Sequence, residues 1–217
     1  MAGKAIIVAG GDVHSEDLLK EVQRGYDLLL AADSGGIVLY ELGYLPDVLI
    51  GDFDSLDRNL LALFRAKGVK ITEFPPEKDW TDLELAVQTV INLNVQEIII
   101  YGAIGDRLDH TLGNLSLLYQ AMVSGVKAVI VGLRERVLLL GPDETLTLSP
   151  AANTFFSLLP LFPGVEGVTE REAKYPLDNA SIPFGSTRGI HNEFITRPVT
   201  ISIKRGYAFV IIHTGKS

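Results

Sequence analysis

Aspartates in loops that follow short apolar runs give this sequence its chemistry: Asp33, Asp52, Asp54, Asp79, Asp82, Asp106 and Asp109. Several carboxylates on one rim repel each other unless a cation or protons neutralise them. Oxygen donors with no cysteine and little histidine nearby favour Mg²⁺ over zinc. The densest element is Gly51-Asp52-Phe53-Asp54-Ser55. Asp-x-Asp after a strand can aim two carboxylates into a cleft, with Gly51 allowing close approach of backbone. The same residues also make an ordinary strand-ending turn.

Three further groups surround it in sequence. Asp33, in Ala31-Ala32-Asp33-Ser34-Gly35-Gly36, ends a strand among small residues where a ligand could lie. Lys78-Asp79-Trp80-Thr81-Asp82 opens a helix, whose free amides and partial positive charge suit phosphate oxygens, with Lys78 adding a point charge. Read more plainly, it is a well-capped helix start with Trp80 in packing. Gly102-Ala-Ile-Gly105-Asp106-Arg107-Leu108-Asp109-His110 follows another strand. Arg107 could grip a phosphate with its planar fork, or pair structurally with Asp109 or Asp106. No GxGxxG fingerprint, GxxxxGK[ST] loop or serine nucleophile elbow is present, so any ATP would be held without a Walker loop.

These groups need elements to hold them. Continuous apolar runs at Ala5–Ala9, Leu28–Ala32, Val48–Ile50, Val69–Thr72, Glu97–Tyr101 and Lys127–Val131 predict strands covered on both faces of a parallel sheet. Between the fourth and fifth, Leu83, Ala86, Val87, Val90 and Ile91 share one helical face, and Thr81-x-x-Glu84 has capping-box spacing. A second helix is predicted from about His110 to Ser124, with Leu112, Leu115, Tyr119 and Met122 inward. Repeated βα units imply a doubly wound, mostly parallel sheet with helices on both faces. Ligands then bind beyond the carboxyl ends of its strands. After Gly132 the texture changes to strand-like pieces at Arg136–Leu140, Thr145–Leu148, Thr154–Leu159, Val199–Ile203 and Ala208–His213. The expected organisation is an α/β domain over 1–132 and an all-β sandwich or barrel over 133–217.

Composition narrows the classes. Nineteen basic against 27 acidic residues give a net charge of −8, unsuited to general nucleic-acid binding. The absence of cysteine excludes disulfides, thiolate metal sites and cysteine nucleophiles, and suits the cytoplasm. No apolar run approaches the ~20 residues of a membrane span. The N-terminus reads as a first strand rather than a signal peptide.

Taken in order, Ala-Asp-Ser-Gly-Gly36, Gly-Asp-Phe-Asp-Ser55, Lys-Asp-Trp-Thr-Asp82-Leu-Glu-Leu-Ala and Gly105-Asp-Arg-Leu-Asp-His-Thr-Leu-Gly-Asn114 resemble the motifs of the thiamine pyrophosphokinase family. The resemblance covers nearly the whole chain. It implies Mg²⁺-dependent transfer of pyrophosphate from ATP to the hydroxyethyl oxygen of thiamine. It assigns Asp52, Asp54 and Asp82 to the metal and Asp33 to the reacting groups. Lys78, Thr81 and Arg107 would contact ATP, and Asp109 would shape the nucleotide loop. A homodimer is implied, with thiamine between the αβ domain of one subunit and the β domain of the other. His191 and Asn192 would face the thiamine; Asn192 matches a Ser–Asn pair common in the family, while His191 and Asp106 depart from its pattern. Alternatives on the same scaffold are a hydroxymethylpterin pyrophosphokinase, a non-catalytic nucleotide or thiamine sensor, and a metal-dependent phosphohydrolase.

Overall fold

The computed structural model describes residues 3–54, 56–75, 77, 79–149, 155–195 and 197–214. The chain divides into two compact units, Met1–Leu133 and Arg134–Ser217.

The first unit alternates strand and helix throughout: β1 (Lys4–Val8), α1 (Ser15–Gln23), β2 (Leu28–Ala32), α2 (Gly35–Glu41), β3 (Val48–Gly51), α3 (Arg58–Ala66), β4 (Lys70–Glu73), α4 (Asp82–Asn92), β5 (Glu97–Tyr101), α5 (Leu108–Val123) and β6 (Lys127–Val131). Its strands run in the order β6-β5-β1-β2-β3-β4, every pair parallel. Successive side chains of a strand face opposite ways. Ile6 and Val8 therefore pack with Leu18, Val22, Leu39 and Phe64 from α1, α2 and α3. On the opposite face α4 lies against β1, β2 and β3, and α5 lies against β6. Ala5, Ile6, Ile7 and Leu30 are fully buried, so the central strands are apolar on both sides, as a doubly wound sheet requires. Burying each such Leu or Ile contributes about 1.5–3 kcal/mol.

α4 forms where the sequence places it. Thr81 is its N-cap, its Oγ1 accepting the Glu84 N–H at 3.2 Å, an interaction worth about 1 kcal/mol. The reciprocal half of the capping box gives way to a tertiary contact. Glu84 Oε1 instead accepts from Gln120 Nε2 of α5 at 2.9 Å, tying the two helices together. The inward face predicted for α5 needs correction. Leu117, Leu118 and Ala121 are buried, whereas Leu112 and Tyr119 are exposed. The helix carries apolar residues on two sides, so their period alone cannot select the packed one.

The second unit holds β7 (Glu135–Leu140), β8 (Thr145–Leu148), β9 (Phe155–Pro160), β10 (Gly164–Arg171), β11 (Leu177–Pro183), β12 (Asn192–Glu193), β13 (Val199–Ser202) and β14 (Ala208–His213). Two antiparallel sheets, ordered β12-β9-β14-β7 and β11-β10-β13-β8, enclose one core containing Leu140, Phe156, Leu158, Val168, Ile182, Ile201 and Val210. This is a β-sandwich. The sequence reading omitted β10, β11 and β12. β10 shifts register against β11 twice, between Val165 and Val168 and between Val168 and Glu170, which breaks the alternation that reveals a strand.

Candidate active site

The strand order fixes where a ligand can enter. From β1 the chain proceeds outward through β2, β3 and β4, then returns to place β5 and β6 on the other side of β1. The reversal opens a crevice at the carboxyl ends of β1 and β5. The two following loops are stitched together there. Ala9 N–H donates to Tyr101 O at 2.8 Å, Gly11 N–H to Gly102 O at 2.9 Å, and Asp12 N–H to Ile104 O at 3.0 Å. A Cβ on Gly11 would stand 2.6 Å from both the Gly102 and Ile104 carbonyl oxygens, which cannot swing aside as side chains do. Gly11→Ala is therefore expected to spread the loops and lower activity at least about tenfold with little change in far-UV circular dichroism, a loss of about 1.4 kcal/mol in transition-state stabilisation. Parental kinetics in that variant would show that the junction does not shape the crevice.

Asp33 ends β2 with φ 46°. Its N–H donates to Ile50 O at 2.8 Å, and its carbonyl accepts the Gly36 N–H at 3.0 Å, opening α2. Phe53 follows β3 with φ 60° and is a member of the core cluster. Left-handed backbone costs an L-residue about 1–2 kcal/mol, and burial of the Phe53 ring offsets that here. Anchored by this ring, the turn carries Asp52 and Asp54 on either side, with Asp54 N–H donating to Asp52 Oδ1 at 3.4 Å. Because β2 and β3 are neighbours, the two strand ends converge. Asp33, Asp52 and Asp54 each offer a carboxylate oxygen within 4.8 Å of the others. Asp82, the third member of the expected metal set with Asp52 and Asp54, begins α4 and lines one cavity with Asp33 and Asp52.

A cavity of about 400 Å³ lies over these loops, lined by Gly10, Gly11, Asp33, Asp52, Thr81, Asp82 and Arg107 among others. Trp80 also lines it and is half exposed. Lys78 lies outside the described residues. Arg107 grips Asp109 with two hydrogen bonds, Nη2 to Oδ2 at 2.7 Å and Nε to Oδ1 at 3.3 Å. The guanidinium hydrogen bond, joined by the His110 backbone N–H, holds the Asp109 carboxyl down at about 2. Two positions of α5, neither among the expected site residues, support the loop. Asn114 Nδ2 donates to Ala103 O at 2.8 Å, and Thr111 Oγ1 meets the N–H and carbonyl of Gly105, both at 3.4 Å. Their signal was present as short polar side chains in the first turns of a helix that follows a glycine loop.

His191 and Asn192 belong to the second unit. His191 is exposed, with φ 63°. Asn192 is buried, and its amide is fully engaged. Nδ2 donates to Glu170 Oε2 at 2.6 Å and Tyr175 O at 2.9 Å, while Oδ1 accepts from Tyr175 N–H at 3.0 Å and Glu193 N–H at 2.9 Å. The expectation that Asn192 reads a substrate directly is corrected accordingly: the fold already uses all of its hydrogen-bonding positions.

Residues 19–130 match the profile of the thiamin pyrophosphokinase catalytic domain, and residues 144–208 match that of the thiamin pyrophosphokinase vitamin B1 binding domain. The thiamine pyrophosphokinase of Bacillus subtilis (strain 168) is 30% identical, over 96% of this chain and 97% of its own. The chain belongs to the thiamine pyrophosphokinase family. The crystal structure of the Bacillus subtilis thiamine pyrophosphokinase superposes with a TM-score of 0.86 at 28% identity, covering 97% of this chain and 98% of that one. The corresponding structure from Geobacillus thermodenitrificans gives 0.83 at 31% identity, with 99% and 98% covered. Within this thiamine pyrophosphokinase-family enzyme, Asp33, Asp52, Asp54, Thr81, Asp82, Arg107 and Asp109 fall in the stretch matching the catalytic domain, and His191 and Asn192 in that matching the vitamin B1 binding domain. The Gly10–Gly11 loop, which completes the crevice, precedes the matched residues.

Proposed function

We propose that this chain transfers the pyrophosphoryl group of ATP to the hydroxyethyl oxygen of thiamine, giving thiamine diphosphate and AMP, with Mg²⁺ as the metal. Family membership supports thiamine diphosphate synthesis; the donor and the metal are inferred from the site. The observation that carries them is the convergence of Asp33, Asp52 and Asp54 beside the crevice. Three carboxylates without sulfur or imidazole are a donor set for a hard divalent cation, and they fit Mg²⁺. Bound there, Mg²⁺ supplies charge neutralisation for the phosphate oxygens.

The chain's own groups position the reactants. The first turn of α4, with Thr81, Asp82 and Leu83 lining the cavity, directs a positive helix end toward phosphate. Arg107 is exposed and exchanges Asp109 for a phosphate oxygen when the nucleotide binds. Lys78 adds its charge to the same nucleotide. In the second unit, His191 contacts the acceptor. The alcohol oxygen forms a bond to the β-phosphorus as the bond from that phosphorus to the α,β-bridging oxygen breaks; AMP leaves, and the alcohol proton is released. An acidic chain with a net charge of −8 also favours approach of the cationic thiamine. Among the described residues no helix is long and apolar enough to cross a membrane. The reading includes a cytoplasmic homodimer, for which light scattering should report twice the chain mass.

Purified protein given ATP, thiamine and Mg²⁺ should form thiamine diphosphate and AMP in equal amounts, and a chelator should stop the reaction. Turnover of a hydroxymethylpterin but not thiamine would reassign the acceptor. Phosphate release without any alcohol would indicate a hydrolase, and nucleotide binding without product would indicate a sensor.

A further inference from the structure

We propose that Phe155 and His213 are positioning residues for the acceptor: they hold the His191 ring in a stacked row, so that its outer face receives the planar ring of the alcohol substrate. The inference rests on the functional reading above and adds two residues to it. His213 lies beyond the stretch that matches the vitamin B1 binding domain.

The argument begins with an exposed side chain that the fold works to fix. His191 has left-handed backbone, uncommon outside glycine though histidine adopts it more readily than most residues. Its N–H donates to Ser157 Oγ of β9 at 3.0 Å. The adjoining Asn192 is locked to Glu170 and Tyr175 by the buried bonds described above. Together these restraints set the imidazole against Phe155, with ring centroids 4.2 Å apart and planes 29° apart. Phe155 also stacks on His213, at 4.0 Å and 22°. One face of a benzene ring has room for one such partner, so the imidazoles occupy opposite faces. The row follows from strand order, since β9 lies between β12 and β14 and pairs Phe156 with both Asn192 and Ile212. Packing of the core does not require an exposed ring to be held this way. A flat aromatic acceptor does, because stacking depends on ring orientation and a pre-set platform loses little freedom on binding.

The test is steady-state kinetics on the full-length protein with acceptor and ATP varied separately. His191→Asn removes the ring while suiting left-handed backbone; it should raise the acceptor KM about fivefold to tenfold and leave the ATP KM within about twofold. His213→Ala should raise the acceptor KM about threefold, His213→Phe should restore it, and His213→Ala should add nothing in the His191→Asn background. An equal effect of His213→Ala in both backgrounds, or an equal shift in the ATP KM, would overturn the proposal. A wild-type protein that turns over no thiamine defeats the functional reading and this inference with it. Normal thiamine turnover with a His191→Asn acceptor KM equal to wild type defeats this inference alone.

Discussion

Replacing Asp54 by asparagine is expected to lower kcat by at least about two orders of magnitude, roughly 3 kcal/mol of transition-state stabilisation, without unfolding the protein. The side chain is exposed at a turn whose geometry is set by the buried Phe53 ring, so the amide can take the same place. What changes is charge. Three carboxylates with oxygens within 4.8 Å of each other become two, and their mutual repulsion eases. The rise in thermal midpoint produced by added Mg²⁺ should therefore shrink, because a ligand stabilises only as far as it binds the folded state. A variant with near-parental kcat and an undiminished response to Mg²⁺ would remove Asp54 from the metal site.

Glu170→Gln should make the protein more stable at neutral and alkaline pH. Glu170 sits in the sandwich core, 2% exposed, with Oε2 bonded to Asn192; Oε1 has no hydrogen-bond partner among the described residues. Burial pushes its carboxyl from 4.5 up to about 7, with the Asn192 bond opposing the shift only in part. The unfolded chain releases this proton near 4.5 and the folded chain near 7. The stabilisation is thus complete below 4.5 and is lost as pH rises through about 7. The shift corresponds to about 3 kcal/mol. A neutral glutamine keeps an acceptor for Asn192 and has no such loss. The stability gap between variant and parent, from urea midpoints, should widen by about that amount between pH 4.5 and 8.5. Parallel pH profiles would show that the folded state ionises Glu170 at no cost.

Much of the framework is legible in the residues, and the gaps have physical causes. The central parallel strands β1, β2, β3 and β5 announce themselves because both faces are covered and their runs are nearly continuously apolar. β10 is obscured by its register shifts, and β12 is only two residues long. The loops carrying the aspartates are visible as glycine-rich strand ends, but their grouping depends on which strands are neighbours. Adjacency of β2 and β3 brings Asp33 to Asp52 and Asp54, whereas Asp82 starts a helix that follows the edge strand β4. Sequence gives a strand's ending and leaves its place in the sheet open. Asn192 illustrates the same limit on a smaller scale: the family resemblance suggested a thiamine contact, and only the packed fold reveals that a buried carboxyl already takes its amide.

The junction between the β1 and β5 loops is made of amides and carbonyls, with no side chain to trim. A conventional scan that cuts each residue back to a methyl group would pass over this wall and credit the aspartates alone. To expose its contribution, mass has to be added, one methyl at a glycine, or an ester has to replace an amide so that a single donor disappears while every side chain stays.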